Sequence, residues 1–372
     1  MKELILSFLV NVCYFINRIV PKDNERLFFY SFPDYSDNAR AIYEELREEN
    51  KMYKVTWAVH DVKKYKTVID GATVVRHKSI KSLIMYCRSK YIFRTHSLWG
   101  NKYVIGKQIM YVAWHGMPLK DMMGEKPTQT KCTFLNMTSH FFDNQMYGAV
   151  AIPEGDNPAH GLARNDALLH NTDILKYLKL DGFNKVYLWM PTFRKSIQSY
   201  HIEGKKYEYG IPLVDTETLK KIDVILQKHN NVLILKLHPL SQDIPGYLGL
   251  KNIINLKDEE FNSKYVLYDL VAQADVLLTD YSSVYIDFLL TNMPIWFVYD
   301  DIQEYRSSRG FAFEPAEEYM PGPHICSSEK LIEYFDDKYE DVYLSKRIEV
   351  KRKFHDYGGA NSSKRIIEFL RL

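Results

Sequence analysis

The sequence predicts an α/β protein made of two doubly wound halves with mostly parallel sheets. Two observations carry this. Short apolar runs of strand character alternate with amphipathic helical runs along most of the 372 residues, the rhythm that βαβ units impose. The rhythm stops in a stretch rich in Pro and Gly, PEGDNPAHGLAR at 153–164, and then starts again. Two α/β halves of this kind are expected to hold a ligand at the carboxyl ends of their strands, in a cleft between the halves.

In the first half, RLFFYS (26–31), KVTWAV (54–59), ATVVR (72–76), YIFRT (91–95) and QIMYVA (108–113) read as strands. Residues 37–49 (DNARAIYEELREE) form an amphipathic helix, with Asp37 or Asn38 as its cap. Residues 79–89 form another. In the second half KVYLWM (185–190), NVLILKL (231–237), residues 252–256, VLL (276–278) and IWFV (295–298) are strands. Residues 215–229 and 268–273 are helical, as is 339–372 with a break at Gly358-Gly359. The expected division is 1–20, 21–165 and 166–372, with the hinge near 153–180.

Composition narrows the function. With 46% hydrophobic residues the chain can bury a sizeable core. A net charge of +2 is too balanced for a nucleic-acid protein. Cys13, Cys87, Cys132 and Cys326 are isolated, which excludes a disulfide framework or a CxxC zinc site and fits reduced thiols in the cytoplasm. Leu4, Ile5, Phe8, Leu9, Val12, Phe15, Ile16 and Ile19 recur at helical spacing, interrupted by polar residues. That pattern fits neither a spanning helix nor a signal peptide. It fits an amphipathic helix, either lying on a membrane or packed on its own domain.

Polar elbows follow several strands. The strand at 276–278 ends in Thr279-Asp280-Tyr281-Ser282-Ser283, followed by a helical pattern to about Leu290. Such an elbow can cradle a diphosphate, or its serines can simply cap the helix. Asp287 shares a helix face with Ser283, which places a carboxylate just behind the elbow. Trp114-His115-Gly116 follows 108–113. His115 suits a general base for a hydroxyl, or a structural turn, and Gly116 leaves room for close backbone approach. Lys236-Leu237-His238-Pro239 places His238 after a strand, able to donate to a phosphate oxygen, to protonate a leaving group, or to shape a turn. Arg194, in Pro191-Thr192-Phe193-Arg194, suits a phosphate grip or a surface ion pair. There is no GxxxxGK[ST], no GxGxxG after the first strand and no HExxH. The adjacent Asp300-Asp301 gives weak support to a metal site.

Taken together, YSDNARAIYEEL, WHGMPLK, RND (164–166), MPTFR, LKLHP, TDYSSVYIDFLL, YRSSRG (305–310) and PGP (321–323) resemble the CDP-glycerol glycerophosphotransferases of teichoic acid synthesis, the TagB/TagF type. The resemblance covers roughly residues 26–368. It implies a GT-B-like fold of two Rossmann-type halves and a peripheral enzyme on the cytoplasmic face of the cell membrane. It implies a CDP-polyol donor such as CDP-glycerol; a lipid-linked saccharide or polyol-phosphate chain is the expected acceptor, no tightly bound cofactor is expected, and nothing in the residues requires a divalent metal.

By the same resemblance His115 is the base, and His238 and Arg194 bind phosphate. Thr279, Ser282 and Ser283 cradle the donor diphosphate. Gly116, Lys120, Asp280, Tyr281, Asp287 and Arg309 support them. Met117 stands where the family usually has Thr, and Ala163 where Pro is frequent, departures that touch the acceptor side. A nucleotide-sugar glycosyltransferase and an inactive polymer-binding protein are the rival readings. Donor polyol, priming or polymerising activity and oligomeric state stay open.

Overall fold

The apolar runs pair into two separate parallel sheets. The first holds β1 (Asp23–Tyr30), β2 (Lys54–Val59), β3 (Ala72–Arg76), β4 (Ser89–Arg94), β5 (Ile109–Val112) and β6 (Phe134–Leu135), in spatial order β3-β2-β1-β4-β5-β6. The second holds β7 (Val186–Trp189), β8 (Val232–Leu235), β9 (Ile253–Asn255), β10 (Val276–Thr279), β11 (Ile295–Val298) and β12 (His324–Ile325), in order β12-β11-β10-β7-β8-β9. Numbered within its own sheet, each runs 3-2-1-4-5-6, the doubly wound order, and strand order reverses between β1 and β4 and between β7 and β10. The coordinates are a computed structural model that describes residues 12–49, 51–98, 107–122, 132–149, 157–194, 203–237, 248–261 and 264–372.

The helices around the sheets include α1 (Asp37–Glu48), α2 (Ile80–Arg88), α3 (Thr216–His229), α4 (Leu267–Ala272), α5 (Val284–Phe288), α6 (Ile302–Ser308), α7 (Ser328–Phe335), α8 (Leu344–Phe354) and α9 (Ser362–Leu370). Strand cores match the sequence pattern, with ends that coincide or differ by at most three residues. The two-residue edge strands β6 and β12 carry too few residues to show a period. Neither Asp37 nor Asn38 caps α1. Ser36 occupies the N-cap but makes no cap bond, its hydroxyl donating instead to the Pro33 carbonyl at 2.6 Å, and the Asn38 side chain is engaged with the Ala113 carbonyl.

Residues 1–115, 123–166 and 355–372 make one compact unit, and 116–122 with 167–354 make the other. The last eighteen or so residues, expected in the second half, therefore lie with the first. In the first unit Phe29 stacks between Trp57 and Phe93, at ring centroids of 5.2 and 4.7 Å. Ile42, Tyr43 and Leu46 of α1 and Ile366, Ile367 and Leu370 of α9 close over the same core. Asp166 fixes α9 by accepting from the backbone N–H groups of Ser362 and Ser363 at 2.7 and 2.8 Å, an anchor at the helix start. In the second unit Trp189, Leu235, Leu278 and Val298 are buried against Leu219, Ile222 and Leu226 of α3 and Leu331 and Phe335 of α7.

Residues 12–19 are helical, and Asn17 is fully buried, donating to the Gln108 side chain at 2.8 Å. Val12, Phe15, Ile16 and Ile19 are exposed. Among the described residues no helix is long and apolar enough to cross a membrane.

Candidate functional site

In the first unit the chain leaves β5 through Ala113 and Trp114 into His115. Trp114 has φ of 57°, rare for an aromatic residue, and Gly116 has φ of 133°, a region open to glycine. Asn38 holds this turn from below. Fully buried, it donates to the carbonyls of Ala113 and Trp114 at 3.1 and 3.0 Å, and its own oxygen accepts from the Arg164 backbone at 3.0 Å. The Arg164 guanidinium then joins the Asp37 carboxylate (2.9 Å) to the carbonyl of His115 (3.0 Å). Three motifs distant in sequence thus converge on one backbone elbow.

The His115 side chain is exposed. Its Nδ1 lies 3.1 Å from the carbonyl of Thr95, which can only accept. Nδ1 therefore carries the proton and Nε2 the lone pair, the tautomer a general base needs. The ring is sandwiched by His96 (4.2 Å, 21°) and Trp114 (4.6 Å, 28°). Burial, with His115 beside it, pushes the His96 pKa down to about 3, so the ring stacked on His115 is neutral at physiological pH.

In the second unit the elbows after β7, β10 and β11 meet at the point where strand order reverses. Arg194 is 7% exposed there. Its guanidinium is 2.7 Å from Asp280 Oδ2 and 2.7 Å from Asp301 Oδ2, both fully buried. The rings of Tyr281, Tyr305 and Tyr207 surround it at 5.0, 5.2 and 5.5 Å. Burial works against the charge, but Asp280 and Asp301 outweigh it and hold the guanidinium pKa above its ordinary value.

Asp280 also accepts from the Thr192 N–H (2.8 Å) and hydroxyl (2.6 Å) and from the Tyr281 N–H (2.7 Å). Asp301 accepts from the Lys205 N–H (2.8 Å) and the Tyr281 hydroxyl (3.1 Å). Gly204 (φ +73°) is required beside them, since a Cβ there would lie 2.3 Å from Asp301 Oδ2.

Several sequence expectations take a different form here. Arg194 grips carboxylates of its own chain. The hydroxyl of Thr279 donates to the Met190 carbonyl at 2.8 Å, tying β10 to β7. Asp300-Asp301 is no open metal pair, because Asp300 is occupied by Lys205 and Tyr207 while Asp301 holds Arg194. Among the described residues no group of three or more His, Cys, Asp or Glu is placed to hold a metal ion. Asp287 accepts from Tyr268 of α4 at 2.5 Å and so fixes α5 behind the elbow.

Ser282 and Ser283 are half-buried. Ser283 stands at the N-cap of α5 without a side-chain cap bond, and neither hydroxyl has a hydrogen bond among the described residues. Capping therefore does not explain these serines. Lys120 bridges to Phe311, Leu119 accepts from Ala312 at 2.7 Å, and Gly310 accepts from Asp121 at 3.1 Å, so residues 119–121 are stitched to 310–312 within the second unit. The Arg309 guanidinium lies 3.6 Å from Glu203 and 3.6 Å from the Met122 sulfur. His238 falls outside the described residues.

Residues 12–372 match the family described as CDP-glycerol:poly(glycerophosphate) glycerophosphotransferase. The chain is 32% identical over 371 residues to a teichoic acid poly(glycerol phosphate) polymerase of Bacillus spizizenii, covering 88% of each. It is 24% identical to a teichoic acid glycerol-phosphate primase of Bacillus subtilis, over 98% of this chain and 96% of the relative. Its fold is similar to that of the wall teichoic acid polymerase TagF, with a TM-score of 0.75 at 21% identity over all of this chain and 95% of the other. That last likeness establishes the GT-B-like arrangement of strands and helices and nothing about chemistry.

Proposed function

The chain belongs to the CDP-glycerol:poly(glycerophosphate) glycerophosphotransferase family, and from that premise we propose how its residues divide the reaction. It is a transferase that moves glycerol phosphate from CDP-glycerol in teichoic acid synthesis. The acceptor is a hydroxyl of a lipid-linked saccharide or of a polyol-phosphate chain. The attacking oxygen bonds to the phosphorus that carries glycerol, the bond from that phosphorus to CMP breaks, and CMP leaves. Nε2 of His115 takes the proton of the attacking hydroxyl. The hydroxyls of Ser282 and Ser283 donate to the diphosphate, with His238 as a further donor to the leaving phosphate.

The observation that carries this reading is the Nδ1 contact of His115 with Thr95, which leaves the proton-accepting lone pair on the other nitrogen. Arg194 acts on the diphosphate through Asp280, which it neutralises and which in turn shapes the serine elbow. The helix at 12–19 lays Val12, Phe15, Ile16 and Ile19 on the cytoplasmic face of the membrane, where a lipid-linked acceptor resides, while Asn17 ties it to the first unit.

The test is CMP release from CDP-glycerol, with and without a lipid-linked disaccharide, and the product mass. Release that does not depend on any acceptor, or turnover of a UDP-sugar in place of CDP-glycerol, overturns the assignment. Vesicles of anionic lipid should sediment the protein, and loss of sedimentation on replacing Phe15 and Ile19 with Ser checks the membrane contact.

A further inference from the structure

The carboxyl edge of the first sheet carries an aromatic row that the reaction as assigned uses at one end only. In spatial order it runs from His77 after β3 to His60 after β2 (4.9 Å between rings), to Phe32 after β1 (5.9 Å), to His96 after β4 (5.9 Å) and to His115 after β5 (4.2 Å). Its far end opens into a hollow of about 550 Å³ lined by His60, Arg76, His77, Lys78 and Ser79.

The chemistry of that hollow is suited to an anion. Arg76 and Lys78 are exposed and have no acidic partner among the described residues. His77 is 8% exposed, stacks on Tyr30 at 4.6 Å, and its buried Nδ1 has no hydrogen-bond partner. A buried imidazole nitrogen without a partner is costly, and His77 is one of the residues that line the hollow. Burial, then the neighbouring His60 and Lys78, lower the His77 pKa to about 4, so the ring is neutral.

Asp34 fixes His60 through Nδ1 at 2.7 Å and also accepts from the backbone N–H groups of His60 and Asp61, which turns its charge inward. Ser79 caps α2, whose start faces the hollow and adds a favourable dipole. Arg and Lys at the rim are the residue types that grip phosphate.

The spacing selects among phosphates. His77 and His115 lie at the ends of strands four positions apart in the sheet, about 19 Å at the usual strand separation. That is too far for the diphosphate of an acceptor whose terminal sugar hydroxyl is at His115, and it suits a phosphodiester several repeats back along a polymer. Phe32, 55% exposed, lies midway and offers an apolar ring to the polyol backbone.

We propose that the hollow formed by His60, Arg76, His77, Lys78 and Ser79 is an anion subsite that holds an internal phosphodiester of a growing polyol-phosphate chain while its terminal hydroxyl lies at His115. This rests on the acceptor class proposed above. The experiment compares wild type with a double variant, Arg76→Ala and Lys78→Ala, both exposed and outside the catalytic machinery. Lipid-linked acceptors with no repeat and with several polyol-phosphate repeats are used.

The expected result is a KM for the long acceptor raised about tenfold, with kcat, the KM for the short acceptor and the KM for CDP-glycerol unchanged. Equal rises for both acceptors assign the effect to the lipid diphosphate and overturn the subsite, as does no rise for either. If wild type turns over neither acceptor, the transfer reaction is what fails. The hollow is then judged by titrating inorganic phosphate and a soluble glycerol-phosphate oligomer while following the His60 and His77 ring resonances. Saturable shifts with the oligomer that the double variant loses support the subsite, and their absence, or shifts with phosphate alone, overturns it.

Discussion

Nδ1 of His115 stands 3.1 Å from the backbone carbonyl of Thr95. Because the partner is a main-chain atom, no side-chain substitution at position 95 removes it, and the tautomer is written into the path of the strand. Replacing His115 by Ala is expected to lower acceptor-dependent CMP release by about 10²- to 10⁴-fold, the usual worth of a general base. Binding of CDP-glycerol, measured by calorimetry, should stay within a factor of two. An equal rate in the variant removes His115 from the proton step.

Arg194 separates structure from ligand binding. Its loss leaves Asp280 and Asp301 buried without a counter-charge, which costs about 3–5 kcal/mol for a buried pair. Arg194→Ala is therefore expected to lower the urea unfolding midpoint sharply, and Arg194→Lys to recover little of it, since Lys lacks the planar fork. A variant that unfolds like wild type and only binds donor more weakly would return Arg194 to direct phosphate contact.

The serines should behave in the opposite way. A capping Ser→Ala change costs about 1 kcal/mol, whereas removing a hydroxyl that bonds to nothing in the protein costs within about 0.5 kcal/mol. Ser282→Ala with Ser283→Ala is expected to leave thermal stability nearly unchanged and to raise the KM for CDP-glycerol at least tenfold. A fall in stability with the donor KM intact would make them structural.

Asn38 touches nothing that reacts, yet it holds the two carbonyls that aim His115. Asn38→Ala is expected to reduce kcat by about 10²-fold, the scale of a small misplacement of a reacting group. Donor KM should not move, and the pH profile of kcat should keep its shape while its height falls. An Asn38→Asp variant restores the acceptor for the Arg164 N–H but not the donors, so it should recover little.

Acid should destabilise the first unit. Burial is the leading cause in each of three histidines whose pKa lies below the usual 6.5: His77 at about 4, His160 at about 4 and His96 at about 3. Each is neutral when folded and takes up a proton on unfolding below about pH 6.5, so stability is full above that pH and is lost as pH falls towards 4. Urea midpoints at pH 7.0 and 5.0 check this. Equal midpoints would contradict it.

The sequence made the strands legible because each is a short apolar run bounded by turn residues, as VLL at 276–278 before Thr279-Asp280. The His115 elbow was legible for the same reason. The same signal, a histidine just past a strand, also marks His60, His77 and His96. The Arg194 cage was not legible. Asp280 and Asp301 lie 86 and 107 residues further along, and nothing local distinguishes an arginine destined for them from one destined for a phosphate. The role of Asn38 was not legible either, because Asn at a helix start is usually a cap, and the competing acceptors, the carbonyls of Ala113 and Trp114, follow a distant strand.

The Asp166 anchor on Ser362 and Ser363 has a consequence during synthesis. The ribosome delivers the first sheet long before the helix that completes its core. At ordinary translation speeds the roughly 200 residues between Asp166 and α9 take about 10–40 s to make, and domains fold as units. During that interval the second sheet can close on itself while the nascent first unit still exposes the apolar face that Ile366, Ile367 and Leu370 will cover. Chaperone engagement should therefore peak while Ser362–Leu370 is still unmade and decline once that helix has left the exit tunnel.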